Sequence, residues 1–165
     1  STLFPYTTLF RSIAKWQRDS GLWKDETFHP AGIETTAHLM QYTLVPAYFM
    51  DKIDYAGKMC LDAAESMAAA QAENGSWDNE NTDHTMDACR NLMLVSDTFK
   101  TKKKYAPVIE KGVRWLMDIK NKQGWGDFPQ EPSNIERSAD GLDTLLKFRR
   151  YDKGEPMSHF WAFSK

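Results

Sequence analysis

Apolar residues recur along the chain at steps of three and four, the spacing that builds one face of an α-helix. Ala56, Met59, Ala63, Met67 and Ala70 form one such series. Ile109, Val113, Leu116 and Ile119 form a second, and Met86, Cys89, Leu92 and Met93 share an arc in a third. Pro107 suits the first turn of the Ile109 helix, where a missing N–H costs nothing. Gly75 and Gly124 fall just past helix ends, where a left-handed residue is wanted. No stretch alternates apolar and polar residues as a strand would. The pattern predicts an all-α chain of helical hairpins.

The hairpins repeat. Gln17 to Trp23 and Gln71 to Trp77 both read Q-x3-G-x-W. Lys120 to Phe128, KNKQGWGDF, is a third copy, one residue shorter and without the Gln. A similar helix start follows each: IETTAHLMQYTL at Ile33, TDHTMDACRNLM at Thr82 and IERSADGLDTLL at Ile135. Similar helices, starting at Tyr55 and Tyr105, precede the later two copies. A period of about fifty residues accommodates one hairpin per repeat, and about two and a half repeats are present. In this setting the Gly turns the chain, the Gln amide holds backbone groups at the helix end, and the indole of Trp23, Trp77 or Trp125 covers the next hairpin.

Q-x3-G-x-W between two helices resembles the QW repeat of squalene–hopene cyclase and other class II terpene cyclases. Their superfamily includes the protein prenyltransferase β-subunits. The resemblance runs from about Ile13 to Tyr151. It implies an α/α-toroid, incomplete here, with inner helices around a cavity and outer helices behind them. Those cyclases protonate an alkene or epoxide with the middle Asp of D-x-D-D-T-A. Asn81-Thr82-Asp83-His84-Thr85-Met86 matches that motif only at Asp83 and Thr85. The resemblance makes Asp83 the acid, with His84 raising its acidity if protonated and Asp87 beside it. A plainer reading is available, because Glu34 and Glu136 hold the same repeat position. A carboxylate in a helix's first turn complements the helix dipole. The prenyltransferase likeness offers a zinc set of Asp87, Cys89 and His38. Against it, Cys89 points about 160° from Asp87 on an ideal helix. Asp25, Glu26 and His29 are read as loop and cap residues. No metal or other cofactor is expected.

A polar stripe runs below Asp83 through Asp87, Arg90 and Asn91. Its equivalents are Glu34, His38, Gln41 and Tyr42, then Glu136, Asp140, Asp143 and Thr144. If the stripe faces a cavity, that cavity is wet and acidic. Glu34, His38, Tyr42, Arg90, Asn91 and Asp140 are then the substrate-binding residues. A wet lining argues against carbocation chemistry, and acid pairs in it suit glycoside chemistry. The alternative is a stripe in open solvent.

Length and composition narrow the rest. At 165 residues the chain is long enough for one domain with a sizeable core. A net charge of −2 with no basic run, beyond KTKKK (100–104) read as a solvated loop, speaks against nucleic acid. No apolar run approaches the roughly 20 residues of a membrane span. Cys60 and Cys89 lie in helical patterns and read as buried hydrophobes. STLFPYTTLFRS (1–12) resembles a reading frame of a sequencing-adapter oligonucleotide, as found in assembled environmental reads. It is set aside as a non-native tail expected to pack against nothing, leaving 13–165 as a partial toroid domain. The expectation is a fragment of an enzyme on isoprenoid substrates, inactive by itself, with a carbohydrate-active toroid or a non-catalytic scaffold as alternatives. The expected partners are a small isoprenoid or saccharide substrate, and further copies through exposed repeat faces. A cytoplasmic location is expected, with membrane association an option for a longer form.

Overall fold

The computed structural model describes residues 6–23, 32–51 and 53–157. Among them the chain is helical, with no strand. Helix α1 spans Tyr6–Trp16 and α2 spans Ile33–Leu39. A π-helical turn, Met40–Leu44, leads without a break into α3, Val45–Asp51. There the Val45 N–H reaches back five residues to the Met40 carbonyl. Pro46 gives the reason: its ring has no N–H and crowds the carbonyl four residues earlier, which favours a widened turn before it. Then come α4, Asp54–Ala69, α5, Thr82–Thr98, α6, Lys102–Ile119, and α7, Ile135–Asp152. The lysines read as a loop open α6 instead, so Pro107 stands in its second turn rather than its first.

Helix α5 is the centre of the packing. It meets α2 on one side, α7 on the other, and both α4 and α6. Its whole length from Thr85 to Ser96 is buried. The three helix heads lie at one end, because Glu34 of α2 reaches His84 of α5 and Asp83 of α5 reaches Arg137 of α7. Pairs lower down, such as Arg90 with Asp140, keep the same register, so α2, α5 and α7 run parallel.

The Q-x3-G-x-W copies occupy equivalent sites. All three indoles are buried. The Trp23 Nε1–H donates to the Ile13 carbonyl at 2.8 Å, Trp77 to Met67 at 2.7 Å and Trp125 to Leu116 at 2.7 Å. Each acceptor belongs to the helix before the turn. The backbone N–H of each Trp donates forward, to a hydroxyl in the first turns of the next helix: Thr36 at 2.9 Å, Thr85 at 3.0 Å and Ser138 at 3.2 Å. The Gln joins repeats. Gln71 Nε2 donates to its own turn at Gly75 and across to the Val108 carbonyl of α6, at 3.0 and 2.9 Å. Gly75 needs to be glycine twice over: its φ is +102°, and a Cβ would lie 2.6 Å from the Lys111 carbonyl oxygen. The third copy, lacking Gln, builds its turn on Asn121, whose Oδ1 accepts from Gln123 and Gly124 backbone N–H groups.

The expectation that the first twelve residues touch nothing is corrected in part. Tyr6–Trp16 is one helix, and Phe10 is buried, edge-on to Tyr55 with ring centroids 6.2 Å apart. An apolar side chain beside an uncovered core surface packs whatever the origin of its codons. Residues 1–5, and the Asp25, Glu26 and His29 cluster, lie outside the described residues.

The clamp predicts two separable losses. Trp77→Ala empties a fully buried ring and is expected to cost about 3–5 kcal/mol in urea unfolding. Trp77→Phe keeps most of the ring but leaves the Met67 carbonyl without its donor, at a cost nearer 1–3 kcal/mol. A loss below 1 kcal/mol for the alanine variant would remove the clamp from its structural role.

Candidate functional site

The polar stripes of α2, α5 and α7 converge because their helices are parallel and in register. Asn81 and Asn134 fix the heads of α5 and α7. Each is an N-cap whose side-chain oxygen accepts from the N–H three residues on, His84 at 3.0 Å and Arg137 at 2.8 Å. Below the caps opens a groove of about 440 Å³. Glu34, His38, Gln41 and Tyr42 line it from the α2 side, Asp83, Asp87 and Arg90 from α5. Glu136, Arg137, Asp140, Asp143 and Lys147 line it from α7. Six carboxylates thus face three permanent cations.

Two arginines hold the acids together. Arg90 donates to Asp87 at 2.6 Å and to Asp140 at 2.9 Å, with Asp143 at 3.5 Å. Burial works against its charge, yet Asp87 and Asp140 outweigh that and bind its proton more firmly. Arg137 reaches Asp83 at 2.9 Å, Asp127 at 2.7 Å and Asp140 at 3.3 Å. Lys147 pairs with Asp143 at 2.6 Å. His38 approaches Asp87 at 3.8 Å from the exposed side, its ring tilted against Tyr42.

Asp83 is half-buried, and its pKa is pushed up to about 6. Burial contributes most, followed by the neighbouring Asp87 carboxylate; Arg137 pulls the other way and Asp140 adds to the rise. The ion pair with Arg137 therefore does not make Asp83 a strong acid. Desolvation and two like charges dominate.

His84 does not face Asp83's side of the groove. Its Nδ1 lies 2.8 Å from Asp78 and its Nε2 3.2 Å from Glu34. Burial disfavours the charged ring, but the hydrogen bonds and charges of Asp78 and Glu34 together raise its pKa above the ordinary 6.5. It acts as a tie between the α2 head, the α5 head and the 78–80 turn. That turn holds three successive residues, Asp78, Asn79 and Glu80, at positive φ.

No family model, curated protein or solved structure matches the chain. The site must therefore be judged on its own geometry. Ten of the residues singled out from sequence line the groove together: Glu34, His38, Gln41, Tyr42, Asp83, Asp87, Arg90, Glu136, Asp140 and Asp143. Asn91 does not. It is fully buried, and its amide donates to the Asp87 carbonyl one turn back. Cys89 lies on the opposite side, packed against Gly112, and burial pushes its thiol up to about 12. Cys89 thus shares no site with Asp87 and His38, which face the groove on the other side of the helix. Among the described residues no three of His, Cys, Asp and Glu are close enough to hold a metal ion.

Arg137 and Lys147 were not foreseen. Lys147 was legible, since it continues the 136, 140, 143 series by one more turn. Arg137 was not, because it stands off that face and reaches the groove through the length of its side chain.

Two pH effects follow. The folded pKa of His84 is raised, so its contribution is fully present below about pH 6.5 and is lost as pH rises through the folded value. Wild type should therefore gain on His84→Gln as the pH falls from 8 to 6, read from urea midpoints of both proteins; a constant gap would contradict the tie. Asp83 is a carboxyl raised to about 6. Its favourable contribution is complete below about pH 4 and lost as pH rises through the folded value. Asp83→Asn should accordingly gain stability relative to wild type between pH 4 and 7, with the change steepest near pH 5, between the unfolded and folded values. A gap that narrows over that range would show Arg137 to be the dominant neighbour instead.

Proposed function

We propose that the groove binds a polar, hydroxyl-rich ligand of the saccharide class, with Asp83 as proton donor, and that the three-helix arc is part of an α/α-toroid. The observation that carries the reading is the convergence of six carboxylates from three parallel helices on one groove. Hydroxyl groups donate to carboxylates and accept from arginine, so a mixed lining rich in both matches a sugar better than a hydrocarbon. A carboxyl with a pKa of about 6 keeps a protonated fraction near neutral pH, as a general acid at a glycosidic oxygen requires. Asp87 and Asp140, both held by Arg90 and lining the same groove, are the candidates for the carboxylate partner.

The isoprenoid reading rests on the likeness of the repeats, and the clamp geometry supports that likeness. Its chemistry fits this groove less well. Protonating an alkene asks for an unusually strong acid in a dry aromatic chamber, whereas Asp83 is weakened and its surroundings are charged. Phosphate-bearing isoprenoids also meet a net negative surface. A third reading is favoured by a different observation. Each arginine already satisfies two or more carboxylates, as expected of ion pairs that only stitch repeats together.

Titration calorimetry and reducing-end assays on a panel of neutral and amino-bearing oligosaccharides separate these readings, with squalene and geranylgeranyl diphosphate as further arms. Saccharide binding that weakens about tenfold or more in Asp87→Asn, a loss of roughly 1.4 kcal/mol, supports the proposal. Asp83→Asn should then keep binding and lose any cleavage. A cyclised hydrocarbon that depends on Asp83 would favour the isoprenoid reading. No binding of any probe, beside a large stability loss in Arg90→Met, would leave the stitching role alone.

A further inference from the structure

Among the described residues, α7 and the α2 side expose faces whose repeat equivalents are buried. On α7, Ile135, Leu142 and Leu146 are 90%, 57% and 50% exposed. Their repeat equivalents are Thr82, Cys89 and Met93 in α5, and Ile33, Met40 and Leu44 in the α2 helix; all six are fully buried. In α5 that face is covered by the following repeat. The Thr82 N–H donates to the Asp127 carbonyl at 3.0 Å, and Cys89 lies against Gly112 of α6. Met86, one turn along, lies against Gly141 of α7. The face therefore fits the start of another repeat: an outer helix with an inner helix beside it.

The opposite end presents such a pair. Helix α1 holds the outer position, since its Ile13 carbonyl accepts from Trp23 as Leu116 of α6 accepts from Trp125. Tyr42 on the α2 side is 66% exposed, while its equivalents Asn91 and Thr144 are fully buried. The charges agree with the same register. Within the chain, Arg90 of α5 pairs with Asp140 and Asp143 of the following helix. On α7 the corresponding residue is Asp143, which Lys147 holds at 2.6 Å, and the residues that correspond to Asp140 and Asp143 are His38 of α2 and Gln41 of the π-helical turn. An acid would thus meet an imidazole and an amide.

We propose that this chain associates head to tail, the α1–α2 end of a second copy seating on the Ile135–Leu142–Leu146 face of α7. The contact continues the repeat packing and adds His38 and Gln41 of the second copy to the open side of the groove at Asp140 and Asp143. It holds whether or not the groove binds a saccharide.

Sedimentation velocity and light scattering over a concentration series test this with the full chain. The expected result is a species of at least twice the 19.0 kDa chain mass. Leu142→Asp/Leu146→Asp spoils one side of the contact and Tyr42→Asp the other, at exposed positions that leave the fold intact by circular dichroism. Each should weaken association more than about tenfold, since an apolar contact is replaced by a buried charge. Mixing the two variants should restore a complex, because each supplies the side the other lacks. A monomer at every concentration would overturn the proposal. So would an assembly that ignores Tyr42→Asp, which points to α7 pairing with its own copy, or a failure of the mixture to associate.

Discussion

An indole N–H tied to the carbonyl of the helix behind it is the constraint on which the arrangement depends. Trp23, Trp77 and Trp125 each make that bond, and each is also held by its backbone N–H to a hydroxyl of the helix ahead. A buried indole left without its acceptor would forfeit a hydrogen bond inside a low-dielectric core, so the ring has one tolerable orientation. With the ring fixed, the angle between outgoing and incoming helix is fixed too. The glycine before it lets the turn approach α6 closely enough for Gln71 to bond across to that helix.

Repeating one joint sets α2, α5 and α7 parallel and in step. That register turns a per-helix pattern into a site. Glu34, Asp83 and Glu136 come to one level, and the second-turn residues His38, Asp87 and Asp140 to another. Like charges brought together in this way repel. The chain offsets this with two arginines that each bridge neighbouring helices, and with His84 between Asp78 and Glu34. The acid at the head of α5 remains raised to about 6 because burial and Asp87 outweigh its arginine. The same network thus serves cohesion and sets the proton affinity of Asp83, and the shape of its pH dependence reports both.

Much of this was legible in the residues. The apolar spacing marked the helices, the Q-x3-G-x-W copies marked their joints, and the stripe through Asp83, Asp87 and Arg90 marked the groove wall. The misreadings have physical causes. Lys102 to Lys104 look like a solvated loop by charge, but a helix start tolerates exposed lysines when its later turns are packed. Asn91 fell on the polar stripe by angle, yet it turns back to its own helix backbone, as a buried amide does when no solvent reaches it.

What the sequence determined by itself is local and periodic: helix type, the turn residues, the repeat, and which side chains share a helix face. These follow from backbone preferences and the 3.6-residue turn, which act over a few residues. Only the tertiary structure decided which acid meets which base. Arg137 joins Asp83, and His84 joins Glu34 rather than acidifying Asp83, because partners some fifty residues apart are set by inter-helix register and not by spacing along the chain. The proton affinity of Asp83 belongs to the same class, since it depends on how much water and how many neighbouring charges the packed helices leave around it.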